Sequence, residues 1–203
     1  LIGNISDSFG RRPVLLIALV IMAMDYMLMA VAGTIWLLLV GRIIGGITGA
    51  THTTAGAYMA DISKPEEKAA NFGLVGAAFG IGFVVGPMIG GFLADLGTRA
   101  PFYAAALLAA LNAGFGWLIL RETLTEANRR PFQWTRANPL GAFVSVARLP
   151  GIGRLLAVYF IYSVALYVYP AIWSYYTQAR FDWSPQTIGL SLGLFGISMA
   201  IVQ

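Results

Sequence analysis

The sequence predicts an all-α membrane protein with five full transmembrane helices and parts of two more. Of its 203 residues, 58% are hydrophobic and only 11% are charged, whereas soluble proteins average about 45–50% apolar and about 25% charged residues. The mean hydropathy is +0.74. This composition excludes an ordinary soluble domain and a disordered chain, and the absence of cysteine excludes a disulfide scaffold.

The apolar segments are long enough to cross a bilayer, which requires about 20 mainly apolar residues per helix. The segment 14–60 has the length of two spans, and we place the turn between them at Gly33 and Thr34. The other spans follow in chain order: the end of an earlier span at 1–5, full spans at 72–94, 101–120 and 155–177, and most of another at 187–203.

The basic residues alternate between the connecting segments. The connectors 6–13, 61–71 and 121–154 contain ten Lys and Arg residues, whereas the connectors near 33–34, 95–100 and 178–186 contain two. Because Lys and Arg accumulate in cytoplasmic loops, the first three connectors are predicted to be cytoplasmic. Membrane topology therefore accounts for the net charge of +4, and we predict no nucleic-acid partner.

Three segments resemble signature sequences of the major facilitator superfamily. Residues 3–13 (GNISDSFGRRP) resemble the loop between helices two and three of that family, with Ser8 where an arginine is frequent. Residues 41–50 (GRIIGGITGA) resemble its fourth helix, and residues 82–91 (GFVVGPMIGG) resemble the fifth helix of its drug–proton antiporters. The resemblance implies a transporter fold built from two helical bundles.

Within the superfamily, the sequence is most similar to the tetracycline-resistance proton antiporters. Residues 24–26 (MDY), 57–62 (AYMADI) and 181–183 (FDW) fit that family, although Met199 lies where its members usually carry a histidine. The resemblance implies a fragment that runs from helix two to helix eight. Residues 1–120 would form the N-terminal bundle without its first helix and most of its second, residues 121–154 the cytoplasmic central loop, and residues 155–203 the start of the C-terminal bundle.

The same resemblance implies a function. We expect proton-coupled efflux of tetracycline or a similar small amphipathic drug across a bacterial inner membrane. The partners would be the drug, protons and the lipid bilayer, and the proton gradient would replace any cofactor. Two alternatives remain open at this point: a superfamily exporter of another drug or metabolite, and a membrane scaffold that transports nothing.

Asp25 and Arg42 are the candidate residues for proton coupling. Both lie about 12 Å from the turn at Gly33, on consecutive antiparallel spans, and therefore at a similar depth in the membrane. A charged side chain at that depth is costly to insert and is expected to face the bundle interior or a cavity. The alternative is a structural ion pair between them. The resemblance implies that both residues take part in transport.

The signature loop supplies candidate gating residues. The resemblance implies that its charges form and break ion pairs as the transporter changes state, and the residues concerned are Gly3, Asp7, Gly10, Arg11 and Arg12. Gly10 suits a tight turn. Asp7 is expected near the start of the next helix, whose positive end favours a carboxylate.

Small residues are concentrated in the span 72–94. They include the antiporter-motif residues Gly82, Gly86, Pro87, Gly90 and Gly91. Such spacing lets helix backbones approach closely, and Pro87 removes a backbone hydrogen bond and is expected to kink the span. We call this row of small residues the seam, and we predict that it packs against another helix. The alternative is that it bends the span and couples the two bundles.

Tyr159 and Tyr162 lie deep in the span 155–177 and are candidates for a substrate cavity, with core packing as the alternative. No metal site is predicted, because the chain has one histidine and no cysteine. An intramembrane hydrolase would need a nucleophile and a base together in the bilayer. With one histidine and no cysteine in the chain, such a pair is not expected, and we predict that the protein is not an enzyme.

Overall fold

The computed structural model describes residues 2–49, 51–126, 129–130 and 152–202, and this part of the chain is helical without strands. The helices, in chain order, are α1 (Ile2–Phe9), α2 (Arg11–Val31), α3 (Ile35–Thr48), α4 (Thr51–Ile62), α5 (Lys68–Ala94), α6 (Ala100–Ile119), α7 (Ile152–Phe181) and α8 (Pro185–Val202). Of the predicted central loop, residues 127–128 and 131–151 lie outside the described residues.

Five segments in the described residues are long and apolar enough to cross a membrane. They are Arg11–Val31, Ile35–Ile62, Lys68–Ala94, Ala100–Ile119 and Ile152–Phe181. The second of these comprises α3 and α4. The predicted fold class, an all-α membrane protein, is confirmed.

Several helices extend beyond the predicted apolar spans. Helix α2 begins at Arg11 instead of residue 14, α5 begins at Lys68 instead of residue 72, and α7 continues to Phe181 instead of ending at residue 177. A helix satisfies its own backbone hydrogen bonds and can therefore continue into the polar headgroup region. Hydropathy detects only the part of a helix that lies in the hydrocarbon core.

The turns begin and end helices through local hydrogen bonds. The Thr34 hydroxyl accepts a hydrogen bond from the Leu37 N–H at 3.4 Å and caps α3, so the predicted turn is present. At the start of α8, Ser184 caps in the same way by accepting from the Thr187 N–H at 3.3 Å. Gly10 separates α1 from α2 with a φ of 108°, a left-handed conformation that glycine adopts without steric cost.

Helix α2 is the centre of the first packed group, and it contacts α1, α3, α4 and α6. Its buried apolar residues include Leu16 and Ala30, and small residues of α6 such as Ala106 and Ala113 are also buried. A second close contact joins α5 to α8. Many large apolar side chains on the other faces are exposed, as expected for helices surrounded by lipid.

The contacts at the two ends of the helices match the predicted grouping of the connectors. At one end, residues of the predicted cytoplasmic connectors meet, because Arg11 pairs with Asp61 and its backbone N–H bonds to Glu122. At the other end, the Arg99 guanidinium donates a hydrogen bond to the Ala32 carbonyl at 3.2 Å. Connectors that are predicted on the same side of the membrane therefore contact each other.

Candidate functional site

Asp25 is a buried carboxylate on α2, with 6% of its surface exposed. It faces the glycine side of α3. A Cβ atom on Gly41 would lie 2.9 Å from Asp25 Oδ1, and one on Gly45 would lie 3.0 Å from Asp25 Oδ2. Oδ1 has no hydrogen-bond partner among the described residues. The two glycines therefore make room for a carboxylate that keeps an open acceptor, a role that their G-x-x-x-G spacing did not suggest.

Arg42 follows Gly41 on α3 and is exposed. The alternative of a structural ion pair with Asp25 is not supported, because both ion pairs found in the described part of the chain involve Arg11. Helix rotation explains this: Gly41 and Gly45 occupy the face toward Asp25, and Arg42 is turned about 100° away from Gly41. Arg42 thus makes no direct ion pair with Asp25 in the described residues, but its charge is near enough to act on the carboxylate.

The signature loop forms a cluster of charges at the cytoplasmic end. Arg11, whose side chain is 11% exposed, pairs with Asp7 one helical turn earlier and with Asp61 at the end of α4, where the Nε–Oδ2 distance is 3.2 Å. Its guanidinium also donates to the Ser6 hydroxyl at 2.7 Å. The Thr123 hydroxyl bonds to the same Asp61 oxygen at 3.2 Å. One arginine therefore joins α1, α2 and α4.

The expectation that Asp7 stabilises the start of the next helix is wrong. Asp7 lies in the last turn of α1 and pairs with Arg11. Glu122 serves the start of α2 instead. Its Oε1 accepts from the Arg11 N–H at 2.9 Å, and its Oε2 accepts from the Arg12 N–H at 3.3 Å. The same carboxylate lies against Gly10, where a Cβ would displace it.

Two other loop residues have different surroundings. Arg12 donates a hydrogen bond from Nη2 to the Trp117 carbonyl at 2.9 Å and lies 5.3 Å from the centre of the Trp117 ring. Gly3 is half-buried, and its carbonyl accepts from the Ser6 hydroxyl at 2.9 Å. Sequence reasoning missed Asp61 as a partner of Arg11 and missed Glu122 altogether, because both contacts join residues far apart in the chain.

Removing the Glu122 carboxylate is expected to destabilise the cytoplasmic end of the bundle. Glu122→Ala leaves the N–H groups of Arg11 and Arg12 without their acceptor and removes a negative charge from a helix N-terminus. We expect a loss of about 1–2 kcal/mol, measured as a lower midpoint of thermal unfolding of the full-length protein. Glu126→Ala, at an exposed position a few residues later, is the matched control. Equal midpoints for the two variants would contradict the capping role.

The antiporter-motif helix α5 packs against α8. A Cβ on Gly91 would lie 2.7 Å from the Pro185 carbonyl oxygen, and one on Gly189 would overlap the Pro87 carbonyl. Gly193 and Gly196 continue the contact against Met88 and Val84.

The predicted tight seam is present at Gly91 and Pro87. For Gly82, Gly86 and Gly90 it stays a prediction, because their Cβ positions meet nothing within 4 Å in the described residues. Helix α5 continues through Pro87 as one helix.

A cavity of about 490 Å³ lies between α5, α7 and α8. Aromatic side chains line it, among them Phe79 and Phe83 from α5, Tyr167 and Tyr169 from α7, and Phe195 from α8. Met199 also lines it. The residues predicted for a cavity, Tyr159 and Tyr162, do not line it and are 68% and 61% exposed. Depth along α7 was predicted from the sequence, but the direction of each side chain depends on how α7 is rotated.

The sequence matches the Major Facilitator Superfamily over residues 1–203. The chain belongs to the major facilitator superfamily. It is 43% identical over its whole length to the tetracycline resistance protein of class C from Escherichia coli, and covers 51% of that protein. It is 38% identical over 97% of its length to the class H protein from Pasteurella multocida, of which it covers 49%.

Comparison with a solved structure agrees with this family assignment. The human organic anion transporter MFSD10 (TETRAN) superposes with a TM-score of 0.70 and 31% sequence identity, over 98% of this chain and 50% of that one. The chain thus spans about half the length of the relatives it matches. It is similar to the tetracycline-resistance proteins and, like the other members of its superfamily, is an integral membrane protein.

Proposed function

We propose that the whole protein is a proton-coupled exporter of tetracycline or a similar small amphipathic drug. The observation that carries the proposal is Asp25, a buried carboxylate between α2 and α3 with one oxygen that lacks a partner among the described residues. A group at that depth that takes up and releases a proton can link proton movement to a change of state. Resistance proteins of several tetracycline classes are the relatives that support the substrate.

The remaining candidate residues have roles consistent with this proposal. Arg42, which follows Gly41 on α3 and forms no ion pair in the described residues, would bias proton binding at Asp25 by its fixed charge. The cluster of Asp7, Arg11 and Asp61 holds the cytoplasmic ends of α1, α2 and α4 together. Breaking and re-forming it would accompany opening to the cytoplasm, with Gly10 as the hinge.

The domain organisation is part of the proposal. Residues 1–120 would belong to the N-terminal bundle, residues 121–154 to the central loop and residues 155–203 to the C-terminal bundle. The seam between α5 and α8 then lies between the two bundles, and the glycine and Pro87 carbonyl contacts give it a surface on which backbones can slide. Alternating access in transporters of this kind rocks one bundle against the other.

A second candidate is an exporter of another drug or metabolite, and in particular of an organic anion. The solved structure that superposes on this chain is described as an organic anion transporter. Met199 gives the cavity wall an apolar thioether at a position where tetracycline exporters usually carry a histidine. A scaffold without transport is disfavoured, because it would have no use for a buried, partly unpartnered Asp25.

The test uses the full-length protein in everted membrane vesicles that carry an imposed proton gradient, acidic inside. Adding magnesium-tetracycline is expected to release protons and to collapse the gradient in proportion to drug uptake. A planar organic anion added to the same vesicles tests the second candidate. If only the anion causes proton release, the substrate is an organic anion instead of tetracycline and the antiport mechanism stands. No proton release with either compound, from vesicles that contain the folded protein, would contradict the proposal.

A further inference from the structure

A long apolar groove runs along the outside of the contact between α2 and α6. Its volume is about 860 Å³. Small buried residues of α6, such as Ala106 and Ala113, form its floor. Large side chains form its rim, including Met24 and Trp117, each 66% exposed. The groove is therefore an open depression with small residues at its floor and large side chains at its rim.

The groove lies on the face of the helix pair that points away from Asp25. Its residues Val20 and Met27 lie about 140–160° around the α2 axis from Asp25, which faces α3. A second cavity on the opposite side of the same contact contains the polar side chains of Tyr26 and Asn112. No other helix of the described chain lines the groove. The polar interior and the apolar groove are thus separated by the α2–α6 contact.

The length of the groove matches one leaflet of a bilayer. On α2 it extends from Leu16 to Met27, a rise of about 16 Å along the helix. The hydrocarbon core is about 30 Å thick, so one leaflet contributes about half of it. Leu16 lies about one turn above Arg12, which is at the cytoplasmic end of α2. The groove therefore matches an acyl chain of the cytoplasmic leaflet.

The guanidinium of Arg12 lies at the cytoplasmic end of the groove. Arg12 stacks on Trp117, a groove residue, and its Nη2 donates to the Trp117 carbonyl. Its buried Nε has no acceptor, and neither ion pair in the described residues involves Arg12. Glu122 is nearby, but backbone N–H groups engage both of its oxygens. The guanidinium is therefore not paired with a carboxylate within the described residues.

We propose that this groove binds an anionic phospholipid of the cytoplasmic leaflet, with an acyl chain along α2 and α6 and the phosphate at Arg12. An arginine is suited to phosphate because its planar guanidinium presents several N–H groups in a fixed arrangement. The apolar channel supplies contact for the chain, and Arg12 supplies selectivity for the negative headgroup. The proposal does not depend on the transported substrate.

The test is fluorescence quenching of the full-length protein in phosphatidylcholine vesicles that contain increasing amounts of phosphatidylglycerol. In each measurement, one of the two lipids is brominated near the carboxyl end of its acyl chain. The fluorescence of Trp117 is obtained by subtracting the fluorescence of Trp117→Phe from that of the wild type. Brominated phosphatidylglycerol is expected to quench Trp117 at a lower fraction than brominated phosphatidylcholine. Arg12→Gln is expected to weaken this preference about fivefold, the effect of one basic residue at an anionic surface, on the order of 1 kcal/mol.

Two further variants separate the parts of the site. Gly114→Leu adds a side chain into open space in the groove and is expected to reduce quenching by both lipids. Arg180→Gln, an exposed arginine at the opposite end of the helices, is the matched control and should leave the preference unchanged. Equal quenching by the two lipids in the wild type, or an unchanged preference in Arg12→Gln, would overturn the proposal. So would a Trp117 that neither lipid quenches, because another helix or a second copy would then cover the groove.

Discussion

Asp25→Asn is expected to abolish drug-driven proton release while the protein is still inserted and folded. The amide has nearly the shape of the carboxyl group and still fits against Gly41 and Gly45, where the available space is tight. It cannot take up or release a proton in the physiological range. The measurement is proton release from everted vesicles on addition of magnesium-tetracycline, together with the amount of protein in the membrane.

The controls for this variant come from the same chain. Asp95→Asn removes an exposed carboxylate at the C-terminal end of α5 and should leave proton release unchanged. Gly45→Ala would place a Cβ 3.0 Å from Asp25 Oδ2 and should impair transport by displacing the carboxylate. Full activity of Asp25→Asn at normal expression would show that Asp25 carries no proton, and would restore the scaffold or a different coupling residue as explanations.

Gly91→Ala is expected to lower stability, whereas Gly90→Ala, at the adjacent position on α5, is expected to leave it unchanged or to raise it. A Cβ on Gly91 would lie 2.7 Å from the Pro185 carbonyl oxygen and 3.3 Å from Gly189 Cα. These are backbone atoms, so α5 and α8 must separate. Overpacking of this kind costs about 1–3 kcal/mol. A Cβ on Gly90 meets nothing within 4 Å in the described residues, and alanine favours a helix by about 1 kcal/mol.

This pair is measured as the midpoint of thermal unfolding of the purified full-length protein in one detergent. The two variants have the same composition and differ only in which side of α5 carries the added methyl group. A lower midpoint for Gly91→Ala alone would support direct contact between α5 and α8. Equal midpoints would mean that this contact is looser than the described structure or that a further helix covers Gly90.

The sequence alone was sufficient to determine the fold class and the order of the spans, and to group the connectors by side of the membrane. Hydropathy and the positions of Lys and Arg are properties of single segments, because each transmembrane helix satisfies its own backbone hydrogen bonds in lipid. The turn at Gly33 and Thr34 and the signature loop with Gly10 could be located for the same reason. The depth of Asp25 followed from its distance along the chain to that turn.

Only the tertiary structure decided which side chains meet. The rotation of each helix about its axis places Asp25 against Gly41 and Gly45 and leaves Arg42 without a direct ion pair to it, and it directs Tyr169 to the cavity in place of Tyr159. Glu122 reaches the start of α2 across more than a hundred residues of chain. Packing sets these rotations and long-range contacts, and in segments that are apolar on every side the hydrophobic pattern contains almost no information about which face will be buried.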